Sequence, residues 1–304
     1  MASGFRTTLG RLLGRMPARS TLHPKILEQV ALTGCTREKV SYLVEPGERV
    51  SAYLFVPAGG DRHPAVLSIH QHNREYHLGK SEPAGLSGNP EQFYALELAK
   101  RGYITLAPDA LCFEERQHAS LRGQEYERFE ATKRITEGSC LQGKMLWDLS
   151  RALDYLLTRR EVDGRRIGCL GHSLGGQETL FLAAMDRRIA VGVSSCGFSS
   201  YGAIFDAAIL HNAALYVPGI LRHGDLDKVL GLVAPRPFLA LAGSADPLFP
   251  LGGVQATVQG ARRAYGKARH RLRLEVFPVV GHGFVAPMRE AAYAWFDRWL
   301  KMAR

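Results

Sequence analysis

The sequence predicts an α/β fold, a mostly parallel sheet of roughly eight strands with helices on both faces and an antiparallel hairpin at its start. Three observations predict it. Short apolar runs of strand length recur along the chain, stretches with three- and four-residue apolar spacing separate most of them, and a strong turn signal joins the first two strand candidates.

The hairpin comes first. Residues 39–44 and 49–56 are rich in β-branched and aromatic side chains and flank Glu45-Pro46-Gly47-Glu48, a composition that turns the chain. The runs 65–70, 104–107, 166–170, 190–195, 238–242 and 272–279 then read as buried parallel strands. Helical patterns lie at 91–101, 145–158, 174–185, 253–265 and 287–302. The second of these is the clearest, with Met145, Leu149, Ala152, Leu153, Leu156 and Leu157 on one stripe. Such alternation implies right-handed crossovers and places function at the carboxyl ends of the strands. Residues 111–142 and 197–234 interrupt the pattern and begin where strands end, so they are expected to be lid or pocket-wall insertions in a domain spanning 38–304.

A chain of 304 residues fits one α/β core with insertions. With 46% hydrophobic and 22% charged residues the composition is that of a globular protein, and no apolar run approaches the roughly 20 residues of a membrane-spanning helix. Cys35, Cys112, Cys140, Cys169 and Cys196 are scattered without a CxxC pair. That spacing, with no export signal, predicts free thiols filling the core of a soluble, cytoplasmic protein.

The net charge of +10 gathers in Arg6, Arg11, Arg15 and Arg19 and in Arg262, Arg263, Lys267, Arg269, Arg271 and Arg273. Without a nucleic-acid motif these read as solvated basic faces, with neither nucleic acid nor a membrane as partner. Phe5, Leu9, Leu12 and Met16 recur near helical spacing among arginines, and no acid precedes Glu28. The composition is that of a transit peptide, yet the long apolar centre of a secretory signal is missing. Residues 1–37 are therefore expected to form a basic amphipathic arm that packs on the body or on a second subunit, which leaves a homodimer open.

Gly171-His172-Ser173-Leu174-Gly175 has the G-x-S-x-G form, follows a strand and opens a helix. A serine on that tight turn needs small neighbours, and the turn lifts its hydroxyl above the sheet edge. It also aims the backbone N–H of Leu174, at a helix N-terminus, at a developing oxyanion. A serine hydroxyl needs a base, and the base needs an orienting group. Asp246 follows the strand at 238–242, and His282 follows the last strand, so Ser, Asp and His appear in the chain order of this arrangement on three loops at one sheet edge. His172, His211 and His223 follow no late strand, and Asp225 and Asp227 have less defined surroundings, so Asp246 and His282 are preferred.

The second oxyanion donor is expected in His70-Gln71-His72-Asn73, from the amide of His72 or Asn73. The H-x-H pair there could instead suggest a metal, but no H-x-H-x-D-H or H-E-x-x-H pattern follows, and no metal site is assigned. Gly138 to Met145 nearly matches a phosphate-binding loop and fails where Met145 replaces the magnesium-holding Ser or Thr. Phe113, Phe198, Tyr201, Phe205, Tyr216 and Leu221, in the two insertions, together with Asn73, are the expected pocket wall, which suggests a largely apolar acyl or alcohol group.

The stretches LAPDALCFEER, WDLSRALDYLLTRREVDGRRIGCLGHSLGGQETLFLAAMDRRIA, YVPGILRH, APRPFLALAGSADPLFP and AAYAWFDRWL resemble the dienelactone-hydrolase and acetyl-xylan-esterase branch of the α/β-hydrolases, from about residue 38 to the end. The resemblance implies the α/β-hydrolase fold and a single-domain, cofactor-free serine esterase, and it matches Ser173, Asp246 and His282 to the family triad. Gln71 stands where relatives usually carry glycine, and serine at 173 stands where dienelactone hydrolase proper has cysteine, so dienelactone itself is not the expected substrate. The expected partner is a small to medium ester or lactone: an acetyl ester such as an acetylated sugar, an aryl ester, or a macrocyclic lactone. Two other classes use the same fold. A serine peptidase or amidase would carry an added propeller domain, which this chain lacks, and a non-catalytic ligand receptor would have lost one of the three residues.

Overall fold

The computed structural model describes residues 2–60 and 62–301. The last residue of the helix expected at 287–302, Met302, lies outside them.

The expected hairpin forms from β2 (Cys35–Glu45) and β3 (Glu48–Pro57), with Glu45 facing Glu48. Gly47 sits between them at φ +80°, a left-handed conformation that glycine adopts without strain. β3 pairs antiparallel with β5 (Ile104–Pro108). From there every pairing is parallel, through β4 (His63–Ile69), β6 (Val162–His172), β7 (Val191–Ser195), β8 (Phe238–Gly243) and β9 (Leu272–Phe277).

The sheet has nine strands rather than eight, in the order β1-β2-β3-β5-β4-β6-β7-β8-β9. The extra one, β1 (Lys25–Leu32), pairs antiparallel with β2 and lies in the segment expected to be an arm, so the sheet begins before residue 38. Its invisibility has a physical cause. Ile26 is 57% and Leu27 52% exposed, so backbone bonds to β2 hold the strand and no buried face imposes a period of two.

Side chains of the central strands alternate between two cores. In β8, Phe238, Ala240 and Ala242 join the larger apolar cluster, while Leu239 and Leu241 join the other. The larger cluster draws on α4 (Leu141–Thr158), α5 (Leu174–Met185), α7 (Leu226–Gly231) and α8 (Leu251–Tyr265); the other draws on α2 (Tyr94–Lys100) and α9 (Ala286–Phe296), which runs on into a π-helical turn, Asp297–Lys301. The first insertion carries α3 (Gly123–Thr136), and the second carries α6 (Tyr201–Asp206) and α7.

The basic N-terminal segment forms α1 (Ala2–Leu12) and packs on the body, with Leu9 and Leu13 buried in the larger core. Arg6 departs from the solvated face expected of its cluster. Its guanidinium donates to the carbonyls of Ala184 and Leu232, where α5 and α7 end and leave acceptors unsatisfied.

Glu178, on α5, is fully buried and accepts from the Gln142 amide at 2.9 and 2.8 Å. Burial pushes its carboxyl well above the usual range, and the Gln142 bond only partly offsets this. A raised carboxyl makes the folded state hold the extra proton, so stability is greatest below the unfolded value of about 4.3 and falls as pH rises past it. Glu178→Gln keeps the neutral shape and an acceptor for Gln142. The expected result is a melting temperature above wild type at about pH 8, with the gap closing toward about pH 4. A gap independent of pH would mean that Glu178 is ionised in the folded protein.

Candidate active site

β6 ends in a turn that α5 continues, and Ser173 sits at that turn with φ +55° and ψ −119°. A non-glycine residue in that region is strained, and the surroundings must hold it there. The Ser173 amide donates to the Ser195 carbonyl at 2.9 Å, and its carbonyl accepts from the Gln177 amide at 3.0 Å. The flanking glycines answer a need for space. A Cβ on Gly171 would lie 2.2 Å from the Gly175 backbone, and one on Gly175 would lie 1.9 Å from the Ile69 carbonyl oxygen.

Two further loops are tied to each other before they reach the serine. The Ser244 amide donates to the Phe277 carbonyl and the Ala245 amide to the Val280 carbonyl, both at 2.9 Å, which joins the loop after β8 to the loop after β9. Val279 has φ +65°, an outlier for a β-branched residue, three positions before His282. On this frame Asp246 Oδ2 accepts from His282 Nδ1 at 2.9 Å, and His282 Nε2 lies 2.9 Å from the Ser173 hydroxyl. The three side chains predicted to converge do so.

Asp246 Oδ1 accepts from the amides of Leu248 at 2.8 Å and Phe249 at 3.2 Å. Burial alone would raise the Asp246 carboxyl, but the hydrogen bond and charge of His282, with these amides, hold it below its ordinary value. It stays ionised and orients the ring. His172, the rival beside it, is fully buried with its ring centre 4.9 Å from that of His282. Burial, then the neighbouring His282, depress its pKa well below the ordinary histidine value, so it is a neutral packing partner.

The cleft above Ser173 encloses about 690 Å³ and is bordered by the loop after β4, by α3 and by the second insertion. Apart from Leu210, Ala213 and Leu248, every lining side chain carries a polar group. Arg74 and Arg128 line it without a carboxylate within ion-pair distance among the described residues.

This corrects which residues form the wall, although most of the surface they present to the cleft is apolar carbon, as expected. Of the residues named from the sequence, His72, Asn73 and Tyr216 line the cleft. Phe113 is buried behind the loop, edge-on to His70 and His72, and Phe198 is buried against Phe238. Tyr201 is buried too and donates its hydroxyl to the Leu215 carbonyl. Phe205 and Leu221 are exposed, and neither borders the cleft. Phe113, Phe198 and Tyr201 are consumed by packing where the insertions fold on themselves, while Tyr76 and Tyr216 face the opening. Gln124, Glu127, Arg128, His211 and Asn212 were missed, although the two insertions that hold them were the right places to look.

The H-x-H pair has no free nitrogen for a metal. His70 Nδ1 donates to the Gln71 carbonyl, and its Nε2 accepts from the Ala110 amide. His72 Nδ1 accepts from the Arg74 amide, and its Nε2 donates to Glu127. Cys196, Asp246 and His282 also bring ligand atoms within 4.8 Å of one another. There the thiol donates to the Gly283 carbonyl, Asp246 and His282 are bonded to each other, and the second His282 nitrogen faces Ser173.

Several solved structures share this fold. Over 97% of this chain it superimposes on a glucuronoyl esterase from Solibacter usitatus, covering 91% of that chain with a TM-score of 0.69 and 14% identity. Acetyl Xylan Esterase 1 from Thermoanaerobacterium sp. JW/SL YS485 aligns over 97% of this chain and 93% of its own, with a TM-score of 0.66 and 19% identity. The fold is therefore that of the α/β-hydrolases. The model of the dienelactone hydrolase family matches residues 81–304, and the chain belongs to that family. It is 31% identical to "Putative hydrolase YtaP" of Bacillus subtilis (strain 168) over 99% of this chain and all of that one.

Proposed function

We propose that the chain is a serine carboxylic-ester hydrolase. The observation that carries this reading is the unbroken hydrogen-bond chain from Asp246 through His282 to Ser173 at the floor of an open cleft. His282 takes the proton of Ser173 as the hydroxyl oxygen attacks the ester carbonyl. The resulting oxyanion is met by the amide of Leu174, which at the start of α5 has no helical acceptor, and by the amide of His72. His282 then protonates the departing alcohol. Water, deprotonated by the same imidazole, hydrolyses the acyl-enzyme and returns Ser173.

The polar groups set in the cleft wall favour a substrate that carries hydroxyls beside its apolar portion. Two unpaired guanidinium groups with the side-chain amides of Asn73, Gln124 and Asn212 match the hydroxyls of an acylated sugar better than a macrocyclic lactone or a plain aryl ester. The likeness to an acetyl xylan esterase and a glucuronoyl esterase supports the same choice. Five buried free thiols fit a reducing compartment such as the cytoplasm.

The test is hydrolysis of acetylated xylo-oligosaccharides beside p-nitrophenyl acetate, a macrocyclic lactone and aminoacyl anilides, with intact-mass detection of an acyl adduct on Ser173. Turnover of the acetylated sugar with an adduct is expected. Preferred cleavage of the anilides would make the protein an amidase, and failure to turn over any ester or to react with a fluorophosphonate would leave a ligand receptor.

A further inference from the structure

Glu127 is the sole acidic side chain lining the cleft among the described residues, and both its oxygens are spent inside the protein. Oε2 accepts from His72 Nε2–H at 2.8 Å and from the Tyr76 hydroxyl. Oε1 accepts from the Ala213 amide at 2.6 Å. Because His72 Nδ1 accepts the Arg74 amide at 3.0 Å, the ring proton must reside on Nε2, which leaves that atom able only to donate. Three donors and no acceptor therefore converge on a side chain that is 4% exposed, and a carboxylate alone satisfies all three. Burial would raise the Glu127 carboxyl, but the bonds from His72 and Tyr76 and the Ala213 amide bring it below its ordinary value.

The partners come from three separate parts of the chain. His72 and Tyr76 belong to the loop after β4, Glu127 to α3 in the first insertion, and Ala213 to the second insertion. The loop after β4 is also tied to the first insertion, where the Tyr76 carbonyl accepts from the Glu114 amide at 2.8 Å and from the Gln117 side chain at 3.0 Å. The His72 side chain itself is held by Glu127 and by the Arg74 amide, and it is Glu127 that carries the link on to the second insertion. The His72 ring meets Tyr76 and Phe113 edge-on, contacts that locate the ring without choosing which way its nitrogens face. We propose that Glu127 is a positioning residue, a staple whose carboxylate locks the loop bearing the His72 amide against both insertions and so aims the second oxyanion donor at the carbonyl attacked by Ser173. The proposal rests on the esterase reading and adds to it that the loop is aimed by a residue that never touches the substrate's reacting atoms.

The experiment compares wild type with Glu127→Ala and Glu127→Gln on p-nitrophenyl acetate. Rates are taken per active site, counted by mass after exhaustive fluorophosphonate labelling. A misaimed donor costs about a hundredfold, so the alanine variant should lose about that factor in kcat with KM changed less than about threefold. Glutamine offers one acceptor oxygen and turns an NH₂ toward a donor, so its kcat should fall about tenfold. A trifluoromethyl ketone, whose Ser173 adduct is itself an oxyanion, should weaken in parallel with kcat/KM, and the acid limb of the pH profile should stay in place.

Variants with wild-type kcat and ketone affinity per labelled site, whatever their melting temperatures, would reduce Glu127 to a structural role and overturn the proposal. If Glu127→Ala does not fold, the glutamine variant decides alone. Failure of the esterase reading looks different: the wild type itself would neither turn over ester nor take the phosphonate.

Discussion

Ser173→Ala is expected to lower kcat for ester hydrolysis on the order of a million-fold, with the melting temperature close to wild type. The size follows from what is removed. The Ser173 oxygen is the atom 2.9 Å from His282 Nε2, and alanine leaves the base with nothing to deprotonate except water. A residual acceleration of about a thousandfold over water is expected to persist, because the proposed oxyanion donors, the Leu174 and His72 amides, do not depend on the serine hydroxyl. The fold survives because alanine keeps the Cβ and the backbone bonds to Ser195 and Gln177. Turnover with p-nitrophenyl acetate, measured with intact-mass detection of any adduct, checks this. Retention of more than about a thousandth of wild-type kcat would move the nucleophile elsewhere.

Asp246→Asn is expected to lower kcat by roughly ten-thousandfold through a single misplaced proton. The orientation of the new amide is dictated by its neighbours. Leu248 and Phe249 both donate to Oδ1, so the asparagine oxygen must stay with them and its NH₂ must face His282 Nδ1. The imidazole then accepts at Nδ1 and carries its proton on Nε2, where it meets the serine hydroxyl as a donor and cannot remove a proton. Because the loop keeps both amide bonds, stability should change little. A variant within about tenfold of wild-type kcat would show that Asp246 does not set the tautomer.

The two expectations rest on different depths of legibility. The order and kind of the central elements were readable because strands β4 to β8 and helices α4, α5 and α8 bury whole faces, and burial writes a period into the chain. α5 begins and ends where the pattern placed it, from Leu174 to Met185. β1 was not readable, since an edge strand held by backbone bonds needs no apolar face. Ser173, Asp246 and His282 could be named because each follows a recognisable strand and the local geometry of strand, turn and loop places it at the same edge of the sheet.

What the sequence by itself determined was therefore the parallel body of the sheet without its edge strand, its helical crossovers and three side chains that meet within hydrogen-bonding distance. Only the tertiary structure decided the cleft. Glu127 lies 55 positions from His72 and 86 from Ala213, and no local pattern relates them. The wall assigned to Phe113, Phe198 and Tyr201 is instead built by other residues, because those rings are used to pack the insertions that border the opening. Periodicity records what a residue's own element buries; the partner a side chain meets across a cleft depends on how separate loops settle against one another, and that is set by the whole fold.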